Sequence, residues 1–209
     1  MSAEESLQDI RAQVQQCSAC PLSAGRTRAV PGEGPAESPI MFIGEGPGYH
    51  EDQQGQPFVG QAGKFLDELL ACAGLKRAEV FITNVVKCRP PSNRDPQPEE
   101  LSACDQYLNA QIEAINPRVI VTLGRFSMGK FISDGRISQI HGHPHKVEGR
   151  VVVTMYHPAA ALHQPALKTT LLEDFGRLKQ FLQQTEKPST PEITPEAQKE
   201  MPPEQLSLF

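Results

Sequence analysis

The chain has 209 residues, a formal net charge of −5 and 38% hydrophobic residues. This size and composition fit one α/β domain with a short appendage, and the negative charge argues against a uniformly basic nucleic-acid binder. No apolar run approaches the roughly 18 residues of a membrane helix, and residues 1–16 do not have the character of a targeting leader. We therefore expect a cytoplasmic protein with no membrane partner.

Helical and extended patterns alternate along the chain. A capping box at Ser2 and Glu5 opens the first predicted helix. Further helices are predicted over 62–73, 98–115, 125–132 and 167–182, and apolar strands over 39–44, 80–86, 119–123 and 151–155. Strands that are apolar throughout and alternate with helices predict an α/β three-layer sandwich with a central four-stranded parallel sheet.

Four of the five cysteines have the spacing of a metal site. Cys17 and Cys20 form a Cys-x-x-Cys pair, and Cys88 and Cys104 follow much later in the chain. Four thiolates from two distant segments suit a tetrahedral zinc site or an iron–sulfur cluster, and spacing alone does not separate the two. A reducing cytoplasm disfavours disulfides, whereas unrelated buried cysteines remain an alternative. Cys72 lies within a helical pattern and is expected to pack as a small apolar residue.

The loops after the predicted strands are where a ligand is expected, because parallel sheets bind ligands beyond the carboxyl ends of their strands. These loops cover 44–60, 84–97 and 156–164. The first is rich in glycine and carboxylates, which would let its backbone approach a ligand, although a plain solvent loop has the same composition. Phe58 in that loop is a candidate stacking surface for a flat ring or a residue that folds onto the core.

Two polar residues stand out at strand ends. Asn84 interrupts an apolar strand, and a buried amide offers both a donor and an acceptor, as the edge of a pyrimidine requires. His157 follows the fourth predicted strand and is a candidate acid or electrophile. Lys87, Arg89 and Arg94 form a basic run that could contact phosphates, with ordinary solvated charge as the alternative.

In their order along the chain, these motifs resemble the family 4 uracil-DNA glycosylases, the iron–sulfur type. The resemblance covers about residues 7–184. It is carried by Cys17-x-x-Cys20, Gly44-Glu45-Gly46-Pro47-Gly48-x-x-Glu51-Asp52, Pro57-Phe58-Val59-Gly60, Thr83-Asn84-x-x-Lys87-Cys88-Arg89-Pro90-Pro91, Cys104 and His157-Pro158. The resemblance implies a DNA-repair hydrolase that flips uracil out of single- or double-stranded DNA and cleaves its N-glycosidic bond, leaving an abasic site.

The same resemblance implies roles for individual residues. Phe58 would stack on uracil, Asn84 would read its edge, and His157 with the loop N–H groups would stabilise the departing base. Glu45 would favour the cationic sugar or position water, and Glu51 or Tyr49 would exclude the methyl group of thymine. The uracil-binding set is then Gly44, Glu45, Gly46, Gly48, Glu51, Phe58, Asn84 and His157.

Other implied contacts lie outside the pocket. Leu162 would fill the space that the flipped base leaves. A [4Fe-4S] cluster would be held by Cys17, Cys20, Cys88 and Cys104. The competing hypothesis is a non-catalytic iron–sulfur or zinc DNA-binding module tethered to the replication clamp. Only the glycosylase hypothesis requires Phe58, Asn84 and His157 to share one cavity.

Residues 186–209 differ in composition from residues 1–185, which we predict form the glycosylase-like domain. The segment is acidic and proline-rich, which predicts a disordered tail. It ends in Gln205-Leu206-Ser207-Leu208-Phe209, which resembles the bacterial sliding-clamp binding pentapeptide, so Gln205, Leu206, Leu208 and Phe209 are candidate clamp contacts. We expect the protein to be a monomer.

Overall fold

The structure, a computed structural model, describes residues 1–186, with side chains described up to residue 183. Residues 187–209, which hold the predicted clamp-binding motif, lie outside the described residues. The helices are α1 (Ala3–Gln16), α2 (Leu22–Gly25), α3 (Tyr49–Gln54), α4 (Gln61–Cys72), α5 (Pro98–Ile115), α6 (Arg125–Phe131), α7 (Ile137–Ile140), α8 (Pro158–His163) and α9 (Pro165–Glu186). In this part of the chain, no helix is long and apolar enough to cross a membrane.

A single sheet forms the middle layer. Its strands are β1 (Ile40–Gly44), β2 (Phe81–Asn84), β3 (Val119–Leu123), β4 (Pro144–Val147) and β5 (Arg150–Met155), in the order β2-β1-β3-β5-β4. β2, β1, β3 and β5 run parallel, which confirms the α/β class and the predicted parallel core.

The predicted strand count is wrong by one, because β4 adds an antiparallel edge strand beside β5. β4 contains Pro144 and alternates exposed with partly buried residues, as an edge strand does. Continuous apolar runs predict strands that are buried on both faces, and a solvent-facing edge strand does not contain such a run.

Successive residues of β1 point to opposite faces of the sheet, and each face has its own hydrophobic core. On one face, Phe42 packs with α4 and α9, and its ring stacks on Phe175 at 6.1 Å between centroids. On the other face, Met41 and Ile43 pack with Leu108 of α5. The two covered faces make the parallel strands fully buried, which explains their continuous apolar sequence.

Helix α1 begins at the predicted residues and ends near the loop after β2. The predicted capping box is present, with the Ser2 side chain accepting from Glu5 N and the Glu5 carboxylate accepting from Ser2 N. α1 packs on α5, which brings Cys17 at the end of α1 close to the loop after β2. The helices α3 and α8 lie within predicted loops, where they are too short to show an apolar stripe.

Candidate functional site

A cavity of about 380 Å³ opens at the carboxyl edge of the sheet. The predicted residues that line it are Glu45, Gly46, Gly48, Glu51, Phe58, Asn84, Arg94 and His157. The structure therefore brings Phe58, Asn84 and His157 together, although they come from three separate segments. Tyr49 is not among the residues that line this cavity.

Phe58 forms one wall of the cavity in an unusual backbone conformation. Its φ is +52°, in the left-handed region that is uncommon for a bulky residue. The side chain is buried, and its ring stacks on the His157 ring at 5.6 Å between centroids and 27° between planes. A strained conformation of this kind persists only where the surrounding contacts fix it.

Glu51 supplies part of that support. Its Oε1 accepts hydrogen bonds from the N–H groups of Val59 at 2.9 Å and Gly60 at 2.8 Å, and its Oε2 accepts from Gly48 N at 3.1 Å. One carboxylate oxygen is thus bound to the backbone that follows Phe58, and the other to the backbone at the start of α3. The structure gives Glu51 a positioning role at the cavity wall, which the sequence prediction of a direct substrate contact did not include.

Arg77 supports the other side of the same loop, and sequence reasoning missed it. Its guanidinium donates to the carbonyl oxygens of Pro57 and Phe58, the latter at 3.1 Å. The same group pairs with Glu33 at 2.9 Å and Asp67 at 3.1 Å, which fixes its orientation. Arg77 lies in a polar connection before β2, where no motif distinguishes it from an ordinary surface arginine.

Asn84 lies at the end of β2, beside Gly44 of β1. It is 1% exposed, and its Oδ1 is buried without a hydrogen-bond partner in the described chain. A Cβ on Gly44 would lie 2.3 Å from Asn84 Oδ1 and 2.6 Å from Phe58 Cζ. Gly44 therefore has to be glycine, because both side chains pack directly over its backbone.

His157 caps the N-terminus of α8. Its Nδ1 accepts a hydrogen bond from Ala159 N at 3.1 Å. Burial lowers the pKa of His157 to about 4, although the negative charge of Glu51 acts in the opposite direction. The ring is therefore neutral near pH 7, and because Nδ1 is the acceptor, its proton is on Nε2, which can donate.

Glu45 brings a carboxyl group to the cavity lining. Burial raises its pKa above the ordinary value, and the negative charge of Asp95 adds to this effect. The positive charge of Arg125, which pairs with Asp95, acts in the opposite direction. The Glu45 carboxyl group is therefore a candidate base or counter-charge in the cavity.

The prediction that Lys87 contacts a phosphate is wrong. Lys87 is only 1% exposed, and its Nζ donates to Thr83 Oγ1 at 2.6 Å, Asn84 O at 2.8 Å and Gln111 Oε1 at 2.7 Å. Burial lowers its pKa to about 8. The side chain joins β2 to α5 inside the protein and does not reach the surface.

The other predicted DNA contacts lie nearer the surface. Arg94 lines the cavity but makes two hydrogen bonds to Glu100, at 2.9 and 2.6 Å. Arg89 donates to Asn93 Oδ1 at 2.8 Å and lies over the Tyr49 ring. Leu162 is 46% exposed and precedes His163, which lines the cavity.

The four predicted metal ligands line a second, smaller cavity: Cys17, Cys20, Cys88 and Cys104. Arg26 Nη1 donates to Cys88 Sγ at 3.1 Å, and Lys87 N donates to Cys104 Sγ at 3.2 Å. Within residues 1–186, no group of three or more His, Cys, Asp or Glu side chains has the geometry to hold a single metal ion. The fifth cysteine, Cys72, lies apart on α4, where its thiol contacts Leu172 O.

The chemistry of this second cavity fits a thiolate-bound metal centre. Burial raises the pKa of Cys88, and it raises that of Cys104 to about 11. Such thiols lose their protons when a metal cation compensates the thiolate charge. Hydrogen bonds to sulfur from Arg26 and from the backbone are the kind that tune iron–sulfur centres.

The chain is similar in sequence to a family of known proteins and to several of its members. The sequence model of the Uracil DNA glycosylase superfamily matches residues 31–176. The chain is 47% identical over 189 residues to a type-4 uracil-DNA glycosylase of Sulfurisphaera tokodaii, with 85% of each chain covered. It is 45% identical over 184 residues to that of Thermotoga maritima, covering 86% of this chain and 96% of the relative. A type-5 uracil-DNA glycosylase of Thermus thermophilus is 34% identical over 151 residues, covering 62% of this chain and 68% of the relative.

Proposed function

The chain belongs to the type-4 uracil-DNA glycosylases of the uracil-DNA glycosylase superfamily, and we infer that it hydrolyses the bond between uracil and deoxyribose in DNA. The observation that carries the mechanism is the buried, unpartnered Oδ1 of Asn84 in a cavity shared with Phe58 and His157. A non-catalytic DNA-binding module would not need this convergence, and nothing favours it.

The proposed activity can be tested with oligonucleotides that carry one uracil, cytosine or thymine at the same position. The protein is expected to release uracil from single- or double-stranded DNA and to leave an abasic site. Release of no base from any substrate would contradict the proposed function.

Base recognition follows from the edge of uracil. Its N3–H is a donor that fits Asn84 Oδ1, and its O4 is an acceptor that fits the amide nitrogen of Asn84. Cytosine presents the reverse pattern at these positions, so it would leave buried polar groups unpaired, at a cost of about 1–3 kcal/mol per group. The Phe58 ring offers a flat face on which the flipped base stacks.

Catalysis requires stabilisation of charge on both fragments. As the bond between N1 and C1′ breaks, uracil leaves as an anion and the sugar becomes cationic. His157 Nε2–H donates to the oxygen next to the breaking bond, and the backbone near Gly46 adds donors. The Glu45 carboxylate stabilises the sugar cation and orients the water, whose oxygen bonds to C1′ while its proton passes to solvent.

We expect that titration of His157 does not change the rate of uracil release between about pH 6 and 8. Its pKa of about 4 keeps the ring neutral over this whole range. A charged histidine with the ordinary pKa of about 6.5 would instead lose activity over this range. Single-turnover rates against pH measure the effect. The variant His157→Gln should be slower at every pH with the same profile, and a wild-type rate that falls tenfold per pH unit above about 6.5 would contradict this role.

Loss of Arg77 is expected to lower uracil release about tenfold, since its two hydrogen bonds to the Phe58 loop hold the stacking ring in place. The measurement compares Arg77→Met in wild-type and Phe58→Ala backgrounds. If Arg77 acts through Phe58, the second background shows little further loss. Arg150→Met, at the first residue of β5 and outside the cavity lining, is the matched control. Equal losses in both backgrounds would assign Arg77 a general structural role.

The cysteine cavity is proposed to hold a [4Fe-4S] cluster, with zinc as the alternative, through Cys17, Cys20, Cys88 and Cys104. When bound, the group supplies four metal–sulfur links and no chemical step. These links would join the segment after α1 to the residues that follow β2, and β2 carries Asn84. The cluster would therefore stabilise the wall that reads the base.

Recognition of uracil in DNA is proposed to involve base flipping, with Leu162 filling the vacated stack. Arg89 is the better of the remaining phosphate candidates, because Arg94 already makes two hydrogen bonds to Glu100.

The C-terminal motif is proposed to bind the bacterial sliding clamp, through Gln205, Leu206, Leu208 and Phe209. Such a tether would raise the local enzyme concentration near newly made DNA. Deleting residues 205–209 should abolish capture by the purified clamp and leave cleavage of free DNA unchanged. Capture that survives the deletion would rule out this contact.

A further inference from the structure

Two exposed apolar side chains adjoin the uracil cavity. In the described chain, the exposed large hydrophobic residues are Met1, Tyr49, Leu162 and Leu172. Tyr49 directly follows Gly48 and Leu162 directly precedes His163, and both Gly48 and His163 line the cavity. Leu162 already has a proposed role in filling the DNA stack. Tyr49 is 55% exposed and does not line the cavity where the flipped base would sit, so it is badly placed for the predicted exclusion of the thymine methyl group.

The Tyr49 ring is held in place by two neighbours. The guanidinium carbon of Arg89 lies 5.2 Å from the ring centroid, and the His50 ring meets Tyr49 at 79° with 5.5 Å between centroids. Arg89 is itself fixed by a 2.8 Å hydrogen bond to Asn93 Oδ1, and Asn93 lines the cavity. The result is an aromatic ring at the rim of the base pocket with a positive charge over one of its two faces, which leaves the opposite face as the one for stacking.

We propose that Tyr49 and Arg89 form a second base-binding subsite, which stacks an unpaired base next to the flipped uracil and contacts its phosphate. The proposal rests on the proposed function and adds a second nucleotide to it. Every base has a π-face, so stacking on Tyr49 would not depend on sequence. The Arg89 guanidinium retains free N–H donors suited to a phosphate, because only its Nε is used by Asn93.

This subsite favours single-stranded DNA. In a single strand, the base beside uracil is unpaired and free to move onto the Tyr49 ring. In a duplex, the same base is paired and stacked, so its transfer to the protein costs a few kcal/mol. This cost largely offsets the free energy gained by stacking on the Tyr49 ring. Tyr49 therefore contributes more to single-strand affinity than to duplex affinity.

The test measures KM and kcat for uracil release from a single-stranded oligonucleotide with one central uracil. Tyr49→Ala is expected to raise KM about 5- to 150-fold, the range that corresponds to one stacked base, with little change in kcat. Tyr49→Phe keeps the ring and should match the wild type. Leu172→Ala removes an exposed apolar side chain on α9 and serves as the matched control.

A second substrate separates stacking from a structural role. It carries abasic analogues on both sides of the uracil, so no neighbouring base is available. On this strand, the wild type and Tyr49→Ala should have the same KM, and on duplex DNA their difference should shrink. Arg89→Gln should remove about one phosphate contact on the unmodified single strand. The slope of log binding constant against log salt concentration should then become shallower by about 0.7.

The outcomes distinguish the two proposals. A wild-type protein that releases no uracil would overturn the proposed function. An active wild type with an unchanged KM in Tyr49→Ala would overturn only the subsite. An equal rise in KM on both single strands would also overturn it, because the effect would not require a neighbouring base.

Discussion

Replacing Asn84 with leucine is expected to slow uracil release about 30- to 1000-fold. The leucine side chain has a similar size but makes neither of the two hydrogen bonds that read the uracil edge, and we assign roughly 1–2 kcal/mol to each. Single-turnover release from a uracil-containing oligonucleotide measures the loss. The loss should appear in the rate of the chemical step, because the amide also aligns the base against His157.

The same substitution is expected to leave the fold at least as stable as the wild type. Asn84 Oδ1 is buried without a partner in the described chain, so an apolar side chain removes an uncompensated polar atom. Thr122→Val is the matched control, because Thr122 Oγ1 is also buried and unpartnered but does not line the cavity. That variant should keep full activity. Full activity in Asn84→Leu, or a loss explained by unfolding, would contradict the assignment.

Replacing Cys88 with alanine is expected to abolish metal binding and to lower Tm by at least about 10 °C. A structural metal centre contributes free energy directly to folding, and each kcal/mol shifts Tm by about 2–4 °C in a domain of this size. Iron and zinc content, the visible absorption of the purified protein and its thermal unfolding measure the effect. Iron with a visible band would identify a cluster, and zinc without one would identify the alternative.

Cys72→Ala provides the control for the cysteine prediction. Cys72 lies on α4, and the cavity that the other four cysteines share does not include it. Its replacement should keep the metal content and change Tm by only a few degrees. Equal metal loss in both variants, or full metal content in Cys88→Ala, would contradict the proposed ligand set.

The sequence predicted the parallel part of the sheet because burial on both faces leaves an uninterrupted apolar signal in each strand. It did not predict β4, whose residues face solvent and include Pro144. The short helices α3 and α8 were also missed, since one or two turns are too few for an apolar stripe. These elements are fixed by tertiary contacts and capping, as at His157, and not by local pattern.

The shared cavity of Phe58, Asn84 and His157 was predictable from chain position, because each follows or ends a strand at the same edge of the sheet. The burial of Lys87 was not predictable. Its partners include Gln111 on α5, and no spacing in the sequence shows that this amide meets the ammonium group. The role of Arg77 was also not predictable. Its guanidinium donates to backbone carbonyl oxygens of a loop about 20 residues earlier, and no sequence pattern shows that contact.

The most direct test of this account is a crystal structure of the protein with uracil bound. Uracil is expected in the cavity at the sheet edge, with N3 within hydrogen-bond distance of Asn84 Oδ1, its ring against Phe58 and its O2 near His157 Nε2. Uracil bound at another surface, or bound in this cavity without a contact to Asn84, would contradict it.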